Sequence, residues 1–157
     1  MNHNPPGRKH PIHQSVYERF NTPIIIFVTV CTKDRKPVLA NAEMHQVLRV
    51  AWQQANNWLV GRYVIMPDHV HLFCSPQVLV PEPLQGWTKF WKAAVTRAWP
   101  HRADLPIWQR HFWDTQLRRG ENYDAKWDYV LANPVRAGFV SNSADWPYQG
   151  EMNVLTW

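Results

Sequence analysis

Leu59–Ser75 reads LVGRYVIMPDHVHLFCS. Two apolar runs, Leu59–Met66 and His69–Ser75, flank the dipeptide Pro67-Asp68. That link is too short for a crossover, so the two runs should pair antiparallel as a hairpin. Working outward, IIIFVTVCT from Ile24 to about Thr32 is equally dense in β-branched residues and follows a turn at Asn21, Thr22 and Pro23. Between this strand and the hairpin, Asn41 can cap a helix running to about Asn57. Met44, Val47, Leu48, Ala51 and Ala55 form its apolar stripe.

Beyond the hairpin, Pro76, Pro81 and Pro83 deliver a second helix, about Leu84 to Trp99, ended by Pro100. Leu84, Trp87, Trp91, Ala94, Val95 and Ala98 mark its buried face, while Gln85, Lys89, Lys92 and Thr96 mark the polar one. A fourth strand is predicted around Trp108–Asp114. Strand, helix, strand, strand, helix, strand is the split βαβ order of an α+β, ferredoxin-like domain. Two helices should cover one face of an antiparallel sheet and leave the other face for a site. A further helix is expected from about Glu121 to Asn133, stopped by Pro134 and Gly138, with Tyr123, Trp127, Val130 and Leu131 as its core stripe. The C-terminal aromatic pieces after Gly138 read as padding outside the domain.

The 157 residues fit one domain, 1–157, with residues 1–19 as a flexible N-terminal segment. At 45% apolar composition the chain should fold, and 13 prolines exclude a long helical bundle. A net charge of +5 leans towards a polyanionic partner, and ten tryptophans leave some free to stack on unpaired bases, Trp108 or Trp113 being the better placed. Cys31 and Cys74 stand singly in apolar runs and read as buried thiols of a reducing compartment. No stretch is long enough to span a bilayer and no secretory leader is visible, which gives a cytoplasmic expectation.

Chemistry concentrates in two places. On a strand, His69 and His71 project to one face while Val70 and Leu72 face the other, so two imidazoles converge as a pair able to hold a divalent metal. On the third helix, Tyr129 and Asn133 stand four apart on a polar stripe with Asn122 and Lys126, away from the core residues. A metal held by His69, His71 and the Asn133 amide oxygen could polarise a phosphate, and Tyr129 could attack phosphorus. Taken alone, the histidines could equally be a half-exposed strand pair and Tyr129 a surface phenol. Mg²⁺ prefers oxygen donors and Mn²⁺ accepts nitrogen more readily, so either remains open. Lys89, Lys92, Arg110, Arg118 and Arg119 are the candidate contacts to DNA phosphates.

Tyr63–Phe73, YVIMPDHVHLF, resembles the histidine-hydrophobe-histidine strand of the HUH endonucleases. Arg118–Val140, RRGENYDAKWDYVLANPVRAGFV, resembles the REP-associated branch of the single-tyrosine, IS200-like transposases. The resemblance spans about residues 20–140. It implies a ferredoxin-like fold, His69, His71 and Asn133 as metal ligands, and Tyr129 as a nucleophile forming a covalent 5′-phosphotyrosine. It also implies single-stranded DNA bearing REP-type hairpins as substrate, a nucleoid-associated location, and a monomer in preference to a dimer. Asp68 then reads as a turn or supporting residue. Two other functions fit the same chemistry: a non-catalytic nucleic-acid-binding module, and a hydrolase that activates water at the histidines.

Overall fold

The computed structural model describes residues 24–118 and 122–156. The expectation for residues 1–19, and Arg119 with it, lies outside them. Nine elements follow in order: β1 (Ile26–Cys31), α1 (Ala42–Gln54), β2 (Trp58–Ile65), β3 (His69–Pro76), α2 (Leu84–Ala98), β4 (Trp113–Gln116), α3 (Tyr123–Leu131), α4 (Asn133–Arg136) and β5 (Gln149–Glu151). The strands form one antiparallel sheet in the order β4-β1-β3-β2-β5. Since β3 runs against both β1 and β2, those two are parallel with β3 inserted between them, as the split βαβ pattern requires.

Two cores lie on the two faces of this sheet. On one face Ile26, Val28, Val30, Val70 and Leu72 meet Met44, Leu48 and Trp52 of α1 and Trp87, Trp91 and Val95 of α2. Trp87 and Trp91 are wholly buried, and the Trp87 indole donates to Ala55 O at 2.6 Å. The Asn41 side chain accepts from Met44 N and so starts α1. On the other face Val64, Met66 and Phe73 meet Tyr123 and Val130 of α3, together with Trp146 and Leu155. The final segment is therefore no padding: Trp146 donates to Ile65 O at 3.0 Å, and β5 extends the sheet beside β2.

Gly61 joins this second core to the sheet. The pairing of β2 with β3 shifts between Val60 and Tyr63, which lets Arg62 N donate to Tyr123 Oη at 3.2 Å. A Cβ at position 61 would stand 2.6 Å from Leu155 Cδ1 and 2.8 Å from that phenol oxygen, so only glycine permits the approach.

Three local expectations need correcting. The fourth strand begins at Trp113, because Trp108 makes only an isolated bridge to Thr32 and turns its indole to Lys92 O. Ala98 is exposed, and Trp99 fills the end of that core instead. Pro134 does not stop the tyrosine helix. Ala132 keeps right-handed dihedrals of −77° and −5°, and the chain continues into α4 with Pro134 in its first turn, where a missing N–H costs little. Gly138 at φ +81° then terminates α4, with Gly138 N on Val135 O and Phe139 N on Pro134 O.

Candidate functional site

The inward run of β3 is Val70, Leu72 and Cys74, so the strand's period turns His69 and His71 to the face that carries α3. Their ring centroids stand 4.6 Å apart. Each ring is held at Nδ1: His69 by Asp68 Oδ1 at 2.7 Å, and His71 by Thr29 Oγ1 at 2.8 Å from the neighbouring strand. Asp68 is itself fixed by Arg35, whose Nε donates to Oδ2 at 2.8 Å. With Nδ1 engaged in both rings, Nε2 is the nitrogen left to bind something else.

Electrostatics keep the pair neutral. Burial lowers the His71 pKa to about 3, reinforced by the nearby His69, Arg136 and Arg35. Burial also lowers His69, and Asp68 only partly opposes this. For Asp68, burial resists ionisation, but hydrogen bonds from Arg35 and His69 outweigh it and hold the carboxyl below its ordinary value. Two neutral imidazoles with oriented lone pairs are what a divalent metal needs.

A cleft of about 490 Å³ opens beside His69 and is also lined by Arg35, Asp68, Asn133, Arg136 and Phe139. The structure thus brings Asn133 and His69 into one space, as expected. Tyr129 lies outside the lining, its side chain 69% exposed on α3. It reaches the site through Arg136, whose guanidinium lies 4.3 Å from the Tyr129 ring centroid. That guanidinium donates to Tyr129 O at 2.8 Å and to Asn133 Oδ1 at 3.2 Å. Tyr123 is the contrasting phenol: buried against Phe73, with burial raising its pKa to about 12. Asn122, expected on the same polar stripe, instead caps α3 by accepting from Asp124 N and Ala125 N.

The basic residues do not gather as expected. Lys89 and Lys92 belong to α2, on the opposite face of the sheet from the histidines. Lys92 is not an exposed cation: it donates to Gln109 O at 2.7 Å, and burial lowers its pKa to about 8. Trp108, edge-on to Trp91, is likewise spent on packing. Arg110 is exposed and follows Gln109, whose N–H pairs with Cys31 O, and Cys31 is the residue opposite His69. Arg118 is exposed at the far end of β4. Trp113 does lie on the histidine face, in the sheet row Trp113, Thr29, His71.

Arg35, Thr29 and Arg136 were missed by sequence reasoning. Arg35 and Thr29 act across the sheet and carry no local signal. Arg136 did carry one, because 129, 133 and 136 fall at helical offsets 0, 4 and 7.

Residues 22–125 match the family described as "Transposase IS200 like". The chain belongs to the IS200-like transposase family. The matched span holds both histidines of the site and ends before Tyr129 and Asn133. A REP-associated tyrosine transposase of Escherichia coli K12 is 27% identical over 126 residues, which are 78% of this chain and 73% of that protein. A solved REP-associated tyrosine transposase bound to a REP hairpin superposes with a TM-score of 0.68 at 24% identity, covering 88% of this chain and 81% of its own. The split βαβ fold expected from the order of strands and helices is the fold present, and that transposase shares it. Among the described residues, no helix is long and apolar enough to cross a membrane, and no three His, Cys, Asp or Glu side chains gather as a metal site. Any metal bound here would need a ligand of another type, such as Asn133.

Proposed function

We propose that this transposase is a metal-dependent endonuclease and strand transferase for single-stranded DNA, with Tyr129 as nucleophile and REP-type hairpins as substrate. One observation carries the reading. Two neutral histidines lie side by side, each tethered at Nδ1, His69 shares a cleft with Asn133, and Arg136 ties Asn133 to Tyr129. The donor set fits a divalent ion: two imidazole nitrogens and one amide oxygen, which Mn²⁺ accepts more readily than Mg²⁺. His69, His71 and Asn133 would hold such an ion, which would supply polarisation of a non-bridging phosphate oxygen and stabilisation of transition-state charge.

This chain's residues then have separate tasks. Tyr129 Oη forms a bond to phosphorus as the bond from phosphorus to the 3′ oxygen breaks. The phenol proton leaves to solvent, and the departing 3′ oxygen takes one up. The product is a 5′-phosphotyrosine, one phosphodiester exchanged for another, so attack by a 3′-hydroxyl reverses it without a nucleotide cofactor. Exposure of Tyr129 suits a strand arriving from solvent. Trp113 offers a ring on the same face for a base, and Arg110 a charge for a phosphate. His69, Asn133 and Arg136 of one chain line a single cleft, which supports action as a monomer. The hairpin substrate is read from the solved relative's bound REP hairpin.

Incubation with labelled hairpin DNA and Mn²⁺, followed by mass spectrometry of the trapped peptide, tests the proposal. A metal-dependent adduct on Tyr129 is expected. Efficient cleavage with no protein-bound DNA would replace it with the water-activating hydrolase. DNA binding without cleavage in either metal would leave the binding module.

A further inference from the structure

Arg136 has an unusual set of partners. Its guanidinium covers the Tyr129 ring at 4.3 Å, and its two terminal nitrogens go to Tyr129 O and Asn133 Oδ1. Among the described residues it forms no ion pair with a carboxylate, whereas Arg35 and Arg62 in the same half of the molecule are each paired. It lines the cleft beside His69. The two residues it joins straddle Ala132, where α3 bends into α4.

We propose that Arg136 is a positioning residue that selects the orientation of the Asn133 amide, presenting its oxygen to the cleft, and locks Tyr129 and Asn133 into register across the helix bend. This inference rests on the proposed metal-dependent reading of the site. An amide can turn either its oxygen or its NH₂ group towards a neighbour. Guanidinium only donates, so a fork anchored on Tyr129 O admits only the oxygen of Asn133. That oxygen has a second lone pair for a cation. Outer partners of this kind fix the ligand they touch, and their loss weakens metal affinity about 10- to 100-fold.

The sign of one measurement separates this role from a bare charge. A positive group near the site repels a cation, and Arg136 lines the same cleft as His69 and Asn133. As mere charge, its removal would tighten metal binding. As an orienting fork, its removal weakens it.

The experiment titrates Mn²⁺ into DNA-free full-length protein and follows free Mn²⁺ by electron paramagnetic resonance. Hairpin affinity without metal and adduct formation across a Mn²⁺ series are measured alongside. For Arg136→Met we expect Mn²⁺ affinity to fall about tenfold or more. Metal-free hairpin affinity should stay within about twofold, and adduct formation should recover at high Mn²⁺. Arg136→Lys keeps the charge without the fork and should also weaken Mn²⁺ binding; it decides alone if the Met variant does not fold. Unchanged or tighter Mn²⁺ binding in the folded variants, with a wild type that binds Mn²⁺ and forms the adduct, overturns the inference and leaves the proposed function standing. Loss of metal-free hairpin affinity with Mn²⁺ binding intact makes Arg136 a phosphate contact and also overturns it. A wild type that neither binds Mn²⁺ nor forms an adduct removes both.

Discussion

Thr29 Oγ1 on β1 lies 2.8 Å from Nδ1 of His71 on β3, and the two residues are direct partners in the sheet register. A ligand-type histidine is thus oriented by a hydroxyl one strand away, not by its own loop. Thr29→Val keeps the shape and removes the hydroxyl. Mn²⁺ affinity should fall about tenfold by the outer-partner rule, and stability by about 1–3 kcal/mol, because a buried ring nitrogen loses its partner. Metal titration and urea unfolding check both. Unchanged Mn²⁺ affinity would mean that the Thr29 contact does not orient a ligand.

Acid stability follows from His71. Its pKa is about 3 in the folded chain and ordinary when unfolded, so the unfolded state binds the extra proton below about pH 6.5. The neutral ring's contribution is complete above pH 6.5 and is lost as pH falls towards 3. From pH 7 to pH 4 this amounts to about 3 kcal/mol. In His71→Gln the pH dependence over that window should shrink by a comparable amount in urea titrations. An unchanged acid limb would place the titration elsewhere.

Lys92 and Arg110 should behave differently although both are basic. Lys92 is committed to Gln109 O, so Lys92→Met should act on stability and leave the salt dependence of hairpin binding as it was. Arg110 is exposed at the histidine end of the sheet, so Arg110→Ala should weaken binding and lower the salt slope by about one. Fluorescence anisotropy at several salt concentrations separates them. A slope change in the Lys92 variant would restore α2 as a DNA surface.

What sequence could and could not reveal follows from range. The hairpin at Pro67-Asp68, the α1 and α2 stripes and the same-face histidines are local patterns of period 2 or 3.6, and, Ala98 apart, they stand in the structure where expected. Lys92 looked exposed because its helical position is polar. Only the fold brings Gln109 within 2.7 Å of it. Trp108 stands at the start of the fourth strand expected from sequence, yet its indole donates to Lys92 O at 3.2 Å. Arg35 departs furthest from local expectation. It adopts φ +56°, a region arginine rarely takes, and reaches Asp68 33 positions away.

Gly61→Ala tests the seam between the sheet and α3. The added methyl would meet Leu155 at 2.6 Å and Tyr123 Oη at 2.8 Å, so one or both must move. Overpacking of this kind costs about 1–3 kcal/mol. Thermal unfolding should show the loss, and Arg62 N should lose its protection against hydrogen exchange because its acceptor is displaced. A variant as stable as wild type would show that Leu155 yields freely.

Tyr123 and Tyr129 stand six residues apart on α3 and are the two phenols that compete for the role of nucleophile. Tyr123 is enclosed by Phe73 and the Arg62 guanidinium, accepts from Arg62 N at 3.2 Å, and has its pKa raised to about 12 by burial. A buried phenol this hard to ionise is a poor nucleophile, and no strand can reach it without opening the second core. Tyr129 is 69% exposed and joined to Asn133 through Arg136, which lines the cleft beside His69. Tyr129→Phe keeps the ring against Arg136 and removes only the hydroxyl. It should abolish the covalent adduct while stability stays within about 0.5 kcal/mol, as for exposed positions. Tyr123→Phe should retain the adduct and cost about 1 kcal/mol or more, because Arg62 N–H is left without its acceptor. Peptide mapping of labelled adducts in both variants, beside urea unfolding, reads the two effects separately. An adduct persisting in the Tyr129 variant with its label on Tyr123 would reverse the assignment, and would require α3 to lift from the sheet during the reaction.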